Sequence, residues 1–173
     1  MPPMVSSIEI ARPPEEVFAY ATDPSRFAEW QNDVVRVRIQ GGHPPSVGSR
    51  FTTTRRIGRV EYRLTQEITE LSASRRWAAS SVDGPLRASA SITVEPLDGG
   101  TRSQITFALD FQGRGLGKLL PLDVIRSIAL KQAPRSYRNL KERLESSDWR
   151  GSGSAGATRP RTRGVCEPTG HRS

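Results

Sequence analysis

A chain of 173 residues suits one domain with an appendage, and its formal charge of +8 and pI near 10.7 raise the question of a polyanion partner. The charge is diffuse, however. Of 26 basic residues 23 are arginine, and the segment 148–173 alone holds five basic against two acidic groups. Arginine-heavy usage beside abundant Ala, Gly and Pro matches a GC-rich coding bias, so a dedicated nucleic-acid surface is not expected. The single cysteine, Cys166, excludes an intrachain disulfide. With only His43 and His171 besides, no metal-binding spacing exists and no metal or cofactor is expected. No apolar run approaches the ~18 residues of a membrane span, and no signal-peptide pattern opens the chain. The expected address is the cytoplasm.

The first strand is predicted from Val5 to Ala11, ending at Arg12-Pro13-Pro14. Glu15 to Ala21 reads as a short helix, with proline at its start and acids where the helix dipole favours them. Asp23-Pro24 opens a second short helix through Phe27 and Trp30, with Asp23 as N-cap. The period then becomes two. Val35, Val37 and Ile39 alternate with arginines; Phe51, Thr53, Arg55 and Ile57 share one face of the next strand, and Gly58 marks a tight turn. Val60, Tyr62, Leu64, Gln66 and Ile68 follow, then Trp77, Ala79 and Ser81, a turn at Asp83-Gly84-Pro85, and Ala88, Ala90, Ile92 and Val94. Asp98-Gly99-Gly100 is a hairpin signal before Ile105, Phe107, Leu109 and Phe111. After Gly113 the apolar spacing turns to three and four through Leu122, Ile125, Ile128, Tyr137, Leu140 and Leu144, a long amphipathic helix in which Pro134 is a weak point. From Ser146 the composition is that of a disordered segment.

This order predicts an α+β fold: a seven-stranded curved antiparallel sheet wrapped around a long C-terminal helix, with two short helices after the first strand. Alternation gives the sheet one dry face, and only the final helix is long enough to cover it. A twisted sheet curves more than a helix does, so contact fails along part of its length and a cavity results. The expected organisation is a domain over 1–147 and a basic tail over 148–173.

Particular residues carry a family resemblance. Ile10-Ala11-Arg12-Pro13-Pro14-Glu15-Glu16-Val17-Phe18-Ala19-Tyr20, then Thr22-Asp23-Pro24 and Phe27-Ala28-Glu29-Trp30, resemble the opening of the START-like (SRPBCC) superfamily. Val47-Gly48-Ser49-Arg50-Phe51, Ser74-Arg75-Arg76-Trp77 and Gly99-Gly100-Thr101-Arg102-Ser103 continue the likeness to the bacterial polyketide cyclase/dehydrase-like branch. The resemblance implies a helix-grip fold whose cavity serves lipids, polyketides or other apolar molecules.

The ligand-contacting residues expected from inward strand positions and the inner helix face are Trp30, Phe51, Tyr62, Leu64, Trp77, Phe107, Phe111, Ile125, Ile128 and Gln132, and the resemblance implies that Trp30, at the end of the second short helix, stands at the cavity mouth. Taken singly, each position reads more readily as plain core than as ligand contact; taken together, the set predicts a pocket. A ligand burying on the order of 300 Å² gains about 7 kcal/mol before ordering costs, enough for micromolar binding. Arg55, Gln66 and Ser81 fall in phase with the inward set. The resemblance implies that cyclases of this kind use cavity Arg and Tyr residues, which makes Arg55 and Tyr62 the weak candidates for chemistry; otherwise no catalytic residues are expected. The long stem of Arg55 is expected to carry its charge to water. Gly115-x-Gly117 lacks the frame of a dinucleotide site.

The favoured function is binding of a small hydrophobic molecule rather than catalysis. A polyketide cyclase/dehydratase and a membrane-interacting lipid carrier are the alternatives, the latter using Gly113 to Leu120. Arg159, Arg161 and Arg163 fall short of the roughly four to eight cations of a lipid-binding cluster, so membrane contact is expected to be weak.

Overall fold

The computed structural model describes residues 2–42, 44–83, 86–113 and 121–146. His43, Gly84 and Pro85 of the expected turn, the segment 114–120 and residues 147–173, with Cys166 and His171, lie outside the described residues. Strand β1 (Met4–Ile10) leads into helix α1 (Pro14–Ala21), a 3-10 turn over Pro24–Arg26 and helix α2 (Phe27–Trp30). Six strands follow: β2 (Val34–Gln40), β3 (Arg50–Ile57), β4 (Val60–Ser72), β5 (Arg76–Ser81), β6 (Leu86–Leu97) and β7 (Arg102–Gly113). Helix α3 (Leu122–Glu145) closes the fold. All pairings are antiparallel, in the order β1-β7-β6-β5-β4-β3-β2.

Local chemistry sets these elements. In α1, Pro14 occupies the first turn, Glu15 and Glu16 face the helix N-terminus, and Pro14, Val17, Phe18 and Ala21 form the buried stripe. Asp23 Oδ1 accepts from the Ser25 amide at 2.9 Å, capping the 3-10 turn as expected. Gly58, at φ 61°, makes the two-residue β3–β4 turn, a conformation that side chains disfavour. Register shifts between Val34 and Arg36 and between Ile68 and Glu70 interrupt two ladders, and such irregularities bend the strands that carry them.

Helix α3 is anchored by its C-terminal end. Arg12 Nε donates to the Leu144 carbonyl at 2.7 Å, the Ala11 amide donates to Glu145 Oε1 at 2.8 Å, and Lys141 Nζ donates to the Glu9 carbonyl at 2.6 Å. Its buried residues, Ser136, Tyr137, Leu140 and Leu144, all lie in the second half. In the first half Leu122, Ile125 and Ile128 are only half-buried. The helix is continuous through Pro134, which stands between the two halves. The sheet and helix thus meet closely at one end and part at the other.

Candidate functional site

Where they part, a cavity of about 580 Å³ remains. Its walls are residues of β3, β4, β5, β6 and β7, the inner face of α3, Phe27 and Trp30 of α2, and Gln31 and Asp33 of the segment that follows α2. Alternation aims Tyr62, Leu64 and Gln66 of β4 and Phe107, Leu109 and Phe111 of β7 the same way. A size of several hundred cubic ångströms with largely apolar walls is typical of small-molecule sites.

Of the ten residues expected to contact a ligand, Trp30, Tyr62, Leu64, Trp77, Phe107, Phe111, Ile125, Ile128 and Gln132 line this cavity. Phe51 does not. It is 1 % exposed, and its ring packs against Phe27 at 5.6 Å and Trp77 at 6.3 Å. Both of those rings line the cavity while Phe51 is enclosed behind its contacts with them, so an inward residue became core. Trp30 meets Phe27 edge-on at 6.1 Å and Phe107 at 5.9 Å. The indole N–H groups of Trp30 and Trp77 are buried and have no hydrogen-bond partner among the described residues.

Arg55 departs from expectation. Its guanidinium does not run out to water but is held by the segment after α2: Nη1 donates to Asp33 Oδ2 at 2.7 Å, and Nη2 to Gln31 Oε1 at 2.8 Å. Nε donates to Thr53 Oγ1 at 3.3 Å. Arg55, Asp33 and Gln31 all line the cavity. Tyr62 is the cross-strand partner of Arg55. Burial pushes its phenol above the ordinary tyrosine value and Asp33 adds to this, while the Arg55 charge opposes. Tyr62 is therefore a neutral hydrogen-bond donor beside a fixed cation, and the pair is suited to a carbonyl or carboxylate oxygen. Gln66, 4 % exposed, is a further polar group on the wall. Ser81 is engaged elsewhere, accepting from the Ala88 amide at 2.9 Å.

Sequence reasoning missed Gln31 and Asp33. The signal was available in Gln31-Asn32-Asp33, a polar run between Trp30 and the apolar start of β2, but it reads as an ordinary surface loop. Phe27, Val60 and Leu109 were also missed as lining residues. Among the described residues no group of three His, Cys, Asp or Glu side chains is placed to hold a metal ion, and no helix is long and apolar enough to cross a membrane.

A curved antiparallel sheet, a closing helix and an apolar chamber between them define a helix-grip protein. Residues 1–145 match the family described as polyketide cyclase / dehydrase and lipid transport, and the chain belongs to that family. No curated protein sequence matches it. Among solved structures, the Zhui aromatase/cyclase from Streptomyces sp. R1128 superposes with a TM-score of 0.71 at 16% identity, covering 88% of this chain and 98% of that one. A START superfamily protein from Mycobacterium smegmatis gives a TM-score of 0.69 at 13% identity, covering 84% and 98%. A protein from Thermus thermophilus gives 0.69 at 16% identity, covering 86% and 100%. At these identities the likeness establishes the fold.

Proposed function

We propose that the protein binds a small, mainly apolar molecule with an oxygen-bearing group, the apolar part filling the cavity and the oxygen meeting Arg55 and Tyr62. The observation that carries this reading is the composition of one continuous wall. Aromatic and aliphatic side chains surround about 580 Å³, and the fixed Arg55–Asp33–Gln31 cluster stands in that same wall. Apolar burial supplies affinity; the cluster supplies orientation. Trp30 and Trp77 on the wall make the test direct, because a ligand in the cavity changes their fluorescence. Native mass spectrometry of protein purified from its own host should show a co-purifying mass, with indole emission shifting when that molecule is stripped and restored. Protein that carries no adduct and whose emission ignores apolar probes would overturn the proposal.

A cyclase or dehydratase is the second reading, favoured by the Arg55–Tyr62 pairing. Such a reaction needs a carbonyl oxygen polarised by a cation and a proton delivered by an acid, and these two groups offer both. Turnover that disappears in Tyr62→Phe while ligand affinity is kept would select it over simple binding.

A further inference from the structure

We propose that the bound molecule is an amphipathic anion whose charged head lies outside the cavity, in a cationic cleft at its edge; the inference rests on the cavity as the site of the apolar part. A second hollow, of about 810 Å³ and open to solvent, is lined by Asn32, Val35, Arg56, Gly58, Lys131, Gln132 and Arg135. It adjoins the cavity, since Gln132 lines both. Asn32 of the cleft stands between Gln31 and Asp33 of the cavity wall, and Arg56 stands between Arg55 and Ile57. The same three segments therefore turn one set of side chains to the chamber and the adjacent set to the cleft.

The two hollows differ in chemistry. The cleft lining holds three cations and no carboxylate. The charge of Arg56 is met by Glu61 at 2.5 Å. Lys131 and Arg135 lie four residues apart on α3, so they project on one helix face, and neither forms an ion pair with a described residue. The cationic group in the cavity wall, by contrast, is already matched by Asp33 at 2.7 Å. An apolar tail with a neutral oxygen near Arg55 and an anionic terminus between Lys131 and Arg135 satisfies both surfaces at once. A wholly neutral molecule leaves those two cations unused.

The test compares decanoate with decanol by isothermal titration calorimetry, below micelle-forming concentrations and at low salt. The full-length protein is set beside a Lys131→Gln/Arg135→Gln double variant, whose exposed substitutions leave the core untouched. The expected result is about tenfold tighter binding of decanoate, the size of two partly screened ion pairs. That preference should vanish in the double variant and fade in high salt, while decanol binding stays constant throughout. Equal binding of acid and alcohol, or a preference that survives in the double variant, overturns the anionic head and leaves the apolar cavity standing. Failure of both compounds to bind the wild-type protein overturns the cavity reading and this inference with it.

Discussion

The rings of Phe107 and Tyr137 stack 4.0 Å apart and nearly parallel, at an interplanar angle of 9°, and this contact divides the molecule. On one side of it Leu140 and Leu144 are fully enclosed; on the other Ile125 and Ile128 border empty space. The same kind of side chain, on the same face of one helix, therefore does two different jobs. Leu140→Ala should cost about 2–5 kcal/mol, because close-packed neighbours cannot refill the void. Ile128→Ala should cost less, about 1 kcal/mol, since its neighbour is already a cavity and its area is only partly removed from water. Urea denaturation of both variants checks the contrast; equal losses would mean that the helix packs uniformly.

Arg12 serves the closed end. Its guanidinium donates to the carbonyls of Leu144 and Ser146, groups that the last turn of α3 leaves without helical partners. Arg12→Ala should lower stability by about 1–2 kcal/mol, the usual worth of charged hydrogen bonds to backbone. Amide exchange should accelerate first in the final turn of α3. Loss of protection spread evenly over the sheet instead would count against this local role.

All three tyrosines of the chain are shielded. Burial pushes Tyr137 up to about 12; burial and the Glu29 hydrogen bond push Tyr20 to about 12; Tyr62 is raised chiefly by burial. A phenol whose folded value exceeds its unfolded value of 10.0 contributes stability that is complete below pH 10. That contribution drains away as pH rises toward 12. Spectrophotometric titration should show little phenolate near pH 10, then a steep rise that coincides with loss of the circular dichroism signal. Gradual ionisation with the fold intact would contradict the burial of these rings.

Much of this was legible in the residue pattern. Period-two alternation from Val35 to Phe111 and the three-four spacing after Leu122 are direct consequences of strand and helix geometry, so the sheet, the helix and most of the cavity wall could be read from them. Phe51 could not be placed correctly, because alternation assigns a face but not a depth, and only the positions of Phe27 and Trp77 decide that it is covered. Arg55 escaped for a related reason. Gln31 and Asp33, which hold its two terminal nitrogens, stand 24 and 22 residues earlier on the segment between α2 and β2, and nothing local announces that a loop will fold over a strand to meet it.

That loop-to-strand contact makes a separable prediction. The side chains of Arg55 and Asp33 are 17% and 20% exposed, so removing one partner strands the other in poorly hydrated surroundings. Arg55→Met should destabilise the fold by about 1–3 kcal/mol, much of it the cost of an unpaired Asp33. Adding Asp33→Asn should recover most of that loss, because a neutral amide tolerates the site, and the recovery identifies the penalty as electrostatic. Binding should behave otherwise. An apolar ligand with a ketone should lose affinity in both the single and the double variant, while its hydrocarbon analogue is held as before, because the cation that meets the oxygen is missing from each. If the double variant restored ketone binding along with stability, Arg55 would be acting only as a brace between β3 and the loop after α2, and the oxygen of the ligand would have to be met by Tyr62 or Gln66 alone.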